Sequence, residues 1–272
     1  MLRQATQDGW WLITHVDHAR LAGEFAARWG SDPFISPEPR DDVLRAIRTH
    51  DDGWAERDAL PEITKQGKPG AFSSELVGKY SAFEEIDLND YLSVRRRAVK
   101  IVSEGNPYAG LLVSLHTYNL LTARADRSTI APEQLPLLDA FLEEQLNLQD
   151  ELVHAIAKNP KYSENEAHHA TIQNHFHLLQ ACDNLSLLAC VDYPSRADLL
   201  HPLPIREGGY RTIEVERIGE RHFRLSPFPF GNEPLTLTIS GRHVASEFFA
   251  SKEQLRDAFN EAAVELLCIK VE

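Results

Sequence analysis

The sequence predicts an α+β fold, in which a mostly helical core carries a small antiparallel β-sheet. Apolar residues recur with helical spacing through most of the segment between residues 90 and 191. Beyond Tyr193-Pro194 the composition changes to short alternating stretches with turns at Gly219 and Gly241, which is typical of antiparallel strands. A Gln7-Asp8-Gly9 turn divides residues 1–14 into the two arms of a hairpin. We expect this hairpin to join the C-terminal sheet, because two strands alone are marginal in water.

Six helices precede the sheet region in the prediction. Asp17 is the expected N-cap of the first, which runs from about His18 to Trp29 and turns His18 inward. The second is short and amphipathic and ends at the doublet His50-Asp51, before Gly53. The other four are expected at about 90–104, 108–125, 133–158 and 165–191. Segments 108–125 and 176–191 are apolar nearly all round, so both should be central.

The C-terminal region reads as strands with one helix among them. The strands are predicted at 211–218, 222–225, 235–239, 242–245 and 264–271, with a short helix at about 252–263. We therefore divide the chain into a helical core with the N-terminal hairpin, residues 1–200, and a region of antiparallel strands plus one short helix, residues 201–272. Because the hairpin is expected in the sheet, the two regions should pack as one unit.

Composition and charge exclude several classes of function. The formal net charge of −13 argues against a nucleic-acid surface, which needs clustered Lys and Arg. No apolar run is long enough to span a membrane, and the N-terminus lacks a secretory pattern, so we expect a cytoplasmic protein. Three cysteines, Cys182, Cys190 and Cys268, lack metal-binding spacing and are expected to be buried thiols. The motifs of nucleotide-cofactor enzymes and serine hydrolases are absent from the sequence.

Four short segments supply candidate metal ligands. The first candidate is His18, which faces inward. His50 and Asp51 are adjacent at a predicted helix end, where the last carbonyls favour a cation; an ordinary polar helix end is the alternative. Asp183 lies inside a long apolar helix, where a carboxylate loses several kcal/mol of solvation unless it is paired, protonated or metal-bound. His116 lies in another apolar helix and is either a ligand or a hydrogen-bonded core histidine.

The order His18, His50-Asp51, His116 and Asp183 resembles that of the HD-domain superfamily of metal-dependent phosphohydrolases. Four longer segments look more closely like a bacterial family of unassigned function: residues 17–23, 50–54, 107–116 and 179–187. The HD resemblance implies a mostly helical core in which His18, His50, Asp51 and Asp183 bind one divalent metal ion. It also implies that His116 serves a second ion, with a partner from His154, His168, His169, His175 or His177.

These residues suit the hydrolysis of a phosphoester in a small phosphorylated or nucleotide-like substrate, with one or two divalent ions of Mn, Fe, Zn, Ni or Mg. Asp51 and Asp52 are the catalytic candidates. Asp52 is predicted to orient His50, to accept a proton from the attacking water, or to be merely solvated. The candidate counter-charges for an anionic substrate are Lys65, Lys68 and Arg95. The first two lie in a long segment of little periodicity, which also carries Lys79.

Other functions remain open at this point. Some HD-type proteins with paired iron are oxygenases, and the surplus of histidines is compatible with that chemistry. Glu151-x-x-His154 and Glu166-x-x-His169 match the spacing of ferritin-like di-iron bundles, although no further helices offer lone inward glutamates. A non-catalytic metal-containing sensor or binding protein is the third alternative. We expect no nucleic-acid or membrane partner, and the sequence allows a homo-oligomer.

Overall fold

The computed structural model of the chain describes residues 1–70, 87–125, 127–191, 196–231 and 234–272. Within these ranges the helices are α1 (His15–Arg28), α2 (Arg40–Thr49), α3 (Ala55–Asp58), α4 (Leu88–Gly105), α5 (Pro107–Asn119), α6 (Leu135–Lys158), α7 (His169–Cys190) and α8 (Lys252–Glu261). A π-helical turn, Leu120–Arg124, extends α5. None of the described helices is both long enough and apolar enough to cross a membrane.

The described strands are β1 (Leu2–Ala5), β2 (Trp10–Ile13), β3 (Arg196–Asp198), β4 (Leu203–Pro204), β5 (Tyr210–Arg211), β6 (Glu214–Gly219), β7 (His222–Ser226), β8 (Leu235–Val244) and β9 (Val264–Val271). Seven of them form one sheet in the order β1-β2-β8-β9-β7-β6-β3, and β4 pairs with β5 separately. The α+β class is therefore confirmed. So is the place of the N-terminal hairpin, since β2 pairs with β8.

The prediction of a small, antiparallel sheet was wrong in two respects. The sheet is large, and it is mixed, because β7 and β9 run parallel. The parallel pair follows from the position of β9, which lies between β7 and β8. Those two strands run in opposite directions, so a strand inserted between them must be parallel to one of them. Alternation within each strand predicts strands well, but it carries no information about which strands become neighbours.

Two predicted helix starts were displaced. Helix α1 begins at His15 rather than His18, and its N-cap is Thr14, whose hydroxyl accepts a hydrogen bond from the Asp17 N–H. Asp17 therefore lies in the first turn, where its charge favours the helix dipole. Helix α7 begins at His169 rather than at the expected residue 165. Its N-cap is His168, whose Nδ1 accepts a hydrogen bond from the Ala170 N–H.

The main hydrophobic core lies between one face of the sheet and helices α1, α2, α5 and α7. Helices α5 and α7 are central, as predicted, because most of their residues are buried. Gly23 allows α1 to approach α2 closely, since a Cβ atom there would lie 2.9 Å from the Arg48 Cβ. This approach brings His18 of α1 to the end of α2.

The other face of the sheet is covered only in part by the described residues. Helix α8 packs there through Leu255 and Phe259, against Leu12 and Val244. Alternating residues of β9 on this face are exposed, and Cys268 is one of them. The prediction of three buried thiols was therefore right for Cys182 and Cys190 and wrong for Cys268.

A buried polar contact ties α2 to the start of α5. Asp42, in the first turn of α2, accepts hydrogen bonds from Lys161 Nζ at 2.6 and 2.7 Å and from Asn106 Nδ2 at 2.5 Å. Asn106 is also the N-cap of α5. Burial alone would raise the pKa of Asp42, but these hydrogen bonds outweigh it and the pKa is lowered.

We predict that Asp42→Asn lowers the free energy of unfolding by about 1–3 kcal/mol at pH 7. The folded-state pKa of Asp42 lies below its ordinary value, so its stabilising effect is complete above about pH 5 and is lost as the pH falls through that pKa. The difference from wild type in urea denaturation should therefore shrink at low pH. Asp41→Asn, at the exposed neighbouring position, is the matched control and should change stability by less than about 0.5 kcal/mol. An equal loss in both variants would contradict the prediction.

Candidate metal centre

The five predicted ligands come together in the protein interior. They come from the first turn of α1 (His18), the C-terminal end of α2 (His50 and Asp51), α5 (His116) and α7 (Asp183), and all five are buried. Ligand atoms of His18, His50 and Asp51 lie within 4.8 Å of one another, and so do those of His50, His116 and Asp183. The two groups share His50, so they form one continuous cluster that could hold a metal ion.

The tautomer of His18 follows from its hydrogen bonds. Its Nδ1 lies 2.8 Å from the Ser186 hydroxyl, and that hydroxyl donates to the Asp183 carbonyl at 2.8 Å. Because the hydroxyl hydrogen is already used, Nδ1 must carry the hydrogen that joins His18 to Ser186. In neutral His18 the Nε2 lone pair is therefore free. It faces Asp51 Oδ2 at 3.2 Å and Asp183 Oδ1 at 3.8 Å.

His50 is held in the same tautomer by the backbone. Its Nδ1 lies 2.7 Å from the Ile47 carbonyl oxygen, which can only accept, so Nδ1–H is the donor. Its Nε2 is buried, makes no hydrogen bond to any described residue, and lies 3.3 Å from Asp183 Oδ1 and 3.8 Å from Asp51 Oδ2. The Nε2 atoms of two imidazoles thus converge on two carboxylates, and all four groups are acceptors when the rings are neutral. Four acceptor groups at this separation require a cation between them, either protons or a metal ion.

The pKa values show how strongly the cluster attracts positive charge. Burial alone would lower the pKa of His50, but the carboxylates of Asp51 and Asp183 outweigh it and raise that pKa to about 9. The pKa of Asp51 lies well below its usual range, because Arg95 and the nearby histidines overcome the opposing effect of burial. The pKa of Asp183 is also lowered against burial, mainly by His50. Both carboxylates are therefore charged at neutral pH.

His116 lies at the other side of Asp183. Its Nε2 is 3.9 Å from Asp183 Oδ2, and its buried Nδ1 has no hydrogen-bond partner among the described residues. Burial lowers its pKa to about 3. His116 is consequently a neutral imidazole at physiological pH, which is the form that binds metals.

Two further predicted residues have partners of their own. Arg95 Nη1 donates to Asp51 Oδ1 at 2.5 Å, so this predicted substrate counter-charge contacts a candidate ligand directly. Asp52 forms an ion pair with Arg20 at 3.0 Å and is partly exposed. The prediction that Asp52 orients His50 was wrong, because His50 Nδ1–H donates to the Ile47 carbonyl instead.

The predicted lysines lie elsewhere in the described part of the chain. Lys68 Nζ lies 5.8 Å from the centre of the Trp10 ring, and Lys65 is exposed. Their segment is held to the sheet region by a hydrogen bond from the Phe249 N–H to the Gly67 carbonyl. Lys79 lies outside the described residues.

The remaining histidines do not join the groups of potential ligands in the described ranges. His175 is buried but bonds to the Tyr108 hydroxyl at 2.8 Å, and His177 stacks on His201. His154, His168 and His169 are exposed, and so is Glu151. The carboxylate of Glu166 accepts hydrogen bonds from Ser163, so the two Glu-x-x-His pairs do not converge on one ion.

Sequence reasoning missed Ser186, which fixes the tautomer of His18. The available signal was its spacing, three residues after Asp183 on an otherwise apolar helix. It also missed Tyr91, whose hydroxyl accepts a hydrogen bond from Arg95 Nε at 3.1 Å one helical turn away. Both are ordinary polar residues whose role depends on tertiary contacts.

A family model described as "Protein of unknown function (DUF3891)" matches residues 1–246. No curated protein and no solved structure matches the chain.

We predict that His50 titrates with a pKa of about 9 in metal-free protein and that Asp183→Asn lowers this pKa. The raised pKa means that protonated His50 stabilises the fold fully below its unfolded pKa near 6.5 and loses this effect as the pH rises through 9. Histidine NMR titration would measure the shift. Asp52→Asn is the matched control, since Asp52 pairs with Arg20, and it should leave His50 unchanged. An unshifted His50 in Asp183→Asn would show that the carboxylate is not the cause.

Proposed function

The chain belongs to DUF3891, a family of unknown function, and from the geometry of its own site we propose that it is a metal-dependent hydrolase of phosphoesters. The substrate is a small phosphorylated or nucleotide-like molecule. One observation carries this proposal: two imidazole Nε2 atoms with fixed tautomers face two charged carboxylates in the protein interior.

The donor set fits a divalent ion. Imidazole nitrogens and carboxylate oxygens together suit Mn, Fe, Ni or Zn, whereas Mg prefers oxygen ligands and bound water. The hydrogen bonds from His18 to Ser186 and from His50 to Ile47 orient the rings before an ion arrives. The order of the ligands along the chain resembles that of HD-domain phosphohydrolases, which further supports the proposal.

His18, His50, Asp51 and Asp183 would hold the divalent ion, which would supply Lewis-acid polarisation of a phosphoryl oxygen and a bound water of lowered pKa. The protein supplies the rest. Asp51 and Asp183 supply negative charge. The hydrogen bonds to Ser186 and Ile47 aim the Nε2 atoms of His18 and His50 at the same place. Asp183 keeps the largest exposed fraction of the five ligands, 8 %, so we propose that substrate approaches from its side. Lys65 and Lys68 remain proposed counter-charges, and Asp52 a proposed proton acceptor.

We predict that wild-type protein, purified without chelator or affinity tag, contains bound divalent metal by elemental mass spectrometry. Asp51→Ala and Asp183→Ala should each reduce metal affinity by at least about 10-fold, because each removes a direct ligand. Asp52→Ala is the control on the neighbouring residue and should keep wild-type metal content. The stoichiometry separates one ion from two, the latter requiring His116.

The metal assignment is wrong if wild-type protein holds no metal and Mn, Fe, Zn, Ni and Mg all fail to bind when added. It is also wrong if Asp51→Ala and Asp183→Ala retain wild-type metal content while remaining folded.

We predict that the metal-loaded protein hydrolyses aryl phosphoesters or nucleotides and that the activity disappears in Asp183→Ala. Asp52→Asn should lower kcat by roughly 10²-fold or more if Asp52 accepts the proton, while metal content stays unchanged. Release of phosphate or aryl alcohol measures the rate. Metal binding without turnover of any phosphoester would favour the non-catalytic alternative, and oxygen consumption by iron-loaded protein would favour the oxygenase.

A further inference from the structure

Arg95 is a buried cation beside the candidate metal centre. It is 6 % exposed, and its Nη1 donates to Asp51 Oδ1 at 2.5 Å. The other carboxylate oxygen, Oδ2, faces the Nε2 atoms of His18 and His50 at 3.2 and 3.8 Å. The two oxygens of Asp51 therefore have separate partners: Oδ1 belongs to the guanidinium and Oδ2 to the ligand cluster.

The guanidinium is held in place by two aromatic residues. Its Nε donates to the Tyr91 hydroxyl at 3.1 Å, and its central carbon lies 5.2 Å from the Tyr91 ring centre and 5.3 Å from that of Trp54. A planar guanidinium can bond through its edge and stack through its face at once, which an ammonium cannot do. Arg95 is thus fixed by Tyr91 from its own helix and by Trp54 from the segment that follows the ligand doublet.

Gly53 explains how α4 comes within reach of Asp51. A Cβ atom at this position would lie 2.3 Å from the Val94 carbonyl oxygen and 2.7 Å from the Ala98 nitrogen, so a larger residue would push α4 away. The sequence His50-Asp51-Asp52-Gly53-Trp54 consequently does three things in five residues. It provides two ligands, it allows a close backbone contact with α4, and it places an aromatic ring on Arg95.

From these contacts we propose that Arg95 is a positioning residue, which restrains Asp51 to ligation through Oδ2 alone. The inference rests on the proposed metal site. It has two consequences for that site. Occupying Oδ1 prevents Asp51 from binding an ion through both oxygens, so one more coordination position stays open to water or substrate. The positive charge of Arg95 also leaves a net charge of one positive on a site with two carboxylates and a divalent ion, which suits an anionic substrate.

The test uses wild-type protein and variants loaded with Co²⁺, whose visible absorption weakens as its coordination number rises. We expect Arg95→Met to free Asp51 Oδ1 for the ion and to reduce the band intensity at full occupancy by about 2-fold or more. Two milder variants should reduce the band intensity by a smaller factor. Arg95→Lys keeps the charge but not the planar fork, and Tyr91→Phe removes one acceptor. Arg96→Met is the matched control, since Arg96 bonds to the exposed Glu144.

The outcomes separate this inference from the proposed function. If wild-type protein binds no Co²⁺ or other divalent ion, the metal site itself fails. If wild-type protein binds Co²⁺ and the spectra of Arg95→Met, Arg95→Lys and Tyr91→Phe equal that of wild type, the positioning role is overturned. It is likewise overturned if Arg95→Met leaves the spectrum unchanged and only weakens binding of inorganic phosphate, because Arg95 would then contact substrate. Should Arg95→Met fail to fold by circular dichroism, the two milder variants decide.

Discussion

Two buried carboxylates impose the main constraint on this protein. Asp51 and Asp183 are 4 % and 8 % exposed, and each would be costly in an apolar interior without a positive partner. Arg95 provides one such partner permanently, and His50 provides another whenever it carries a proton. The packing of α1, α2, α4, α5 and α7 around this centre can be understood as the arrangement that brings these partners within reach.

The same two carboxylates attract either a proton or a metal ion to the centre. Because the Nδ1 atoms of His18 and His50 are engaged by Ser186 and the Ile47 carbonyl, ring rotation and tautomer exchange would break buried hydrogen bonds. The Nε2 atoms therefore offer their lone pairs to one location. A proton and a metal ion compete for that location, and the competition is decided by pH and by the concentration of free metal.

Local properties of the sequence predict the hairpin, most of the helices other than α3, and each candidate ligand separately. The grouping of the five ligands into one site comes from the resemblance to HD domains. Asp183 is recognisable because a carboxylate in an apolar helix needs a partner, and His50-Asp51 because of the helix end. Ser186 joins the site only because α7 packs against α1, and Tyr91 only because Arg95 of the same helix reaches Asp51, so the sequence pattern alone assigns neither role. The order of the strands was unpredictable for the same reason, since β9 finds its position between β7 and β8 by non-local pairing.

The position of β9 has a consequence for how the chain folds. All five candidate ligands, and Ser186, precede the strands of the C-terminal region in the sequence, whereas β9 follows the other described strands and lies inside the sheet. The helices that hold the ligands can therefore pack before β9 is in place. Until then β7 and β8 lack the strand that lies between them. Each presents an unpaired edge until β9 docks, and such edges are able to pair with other chains.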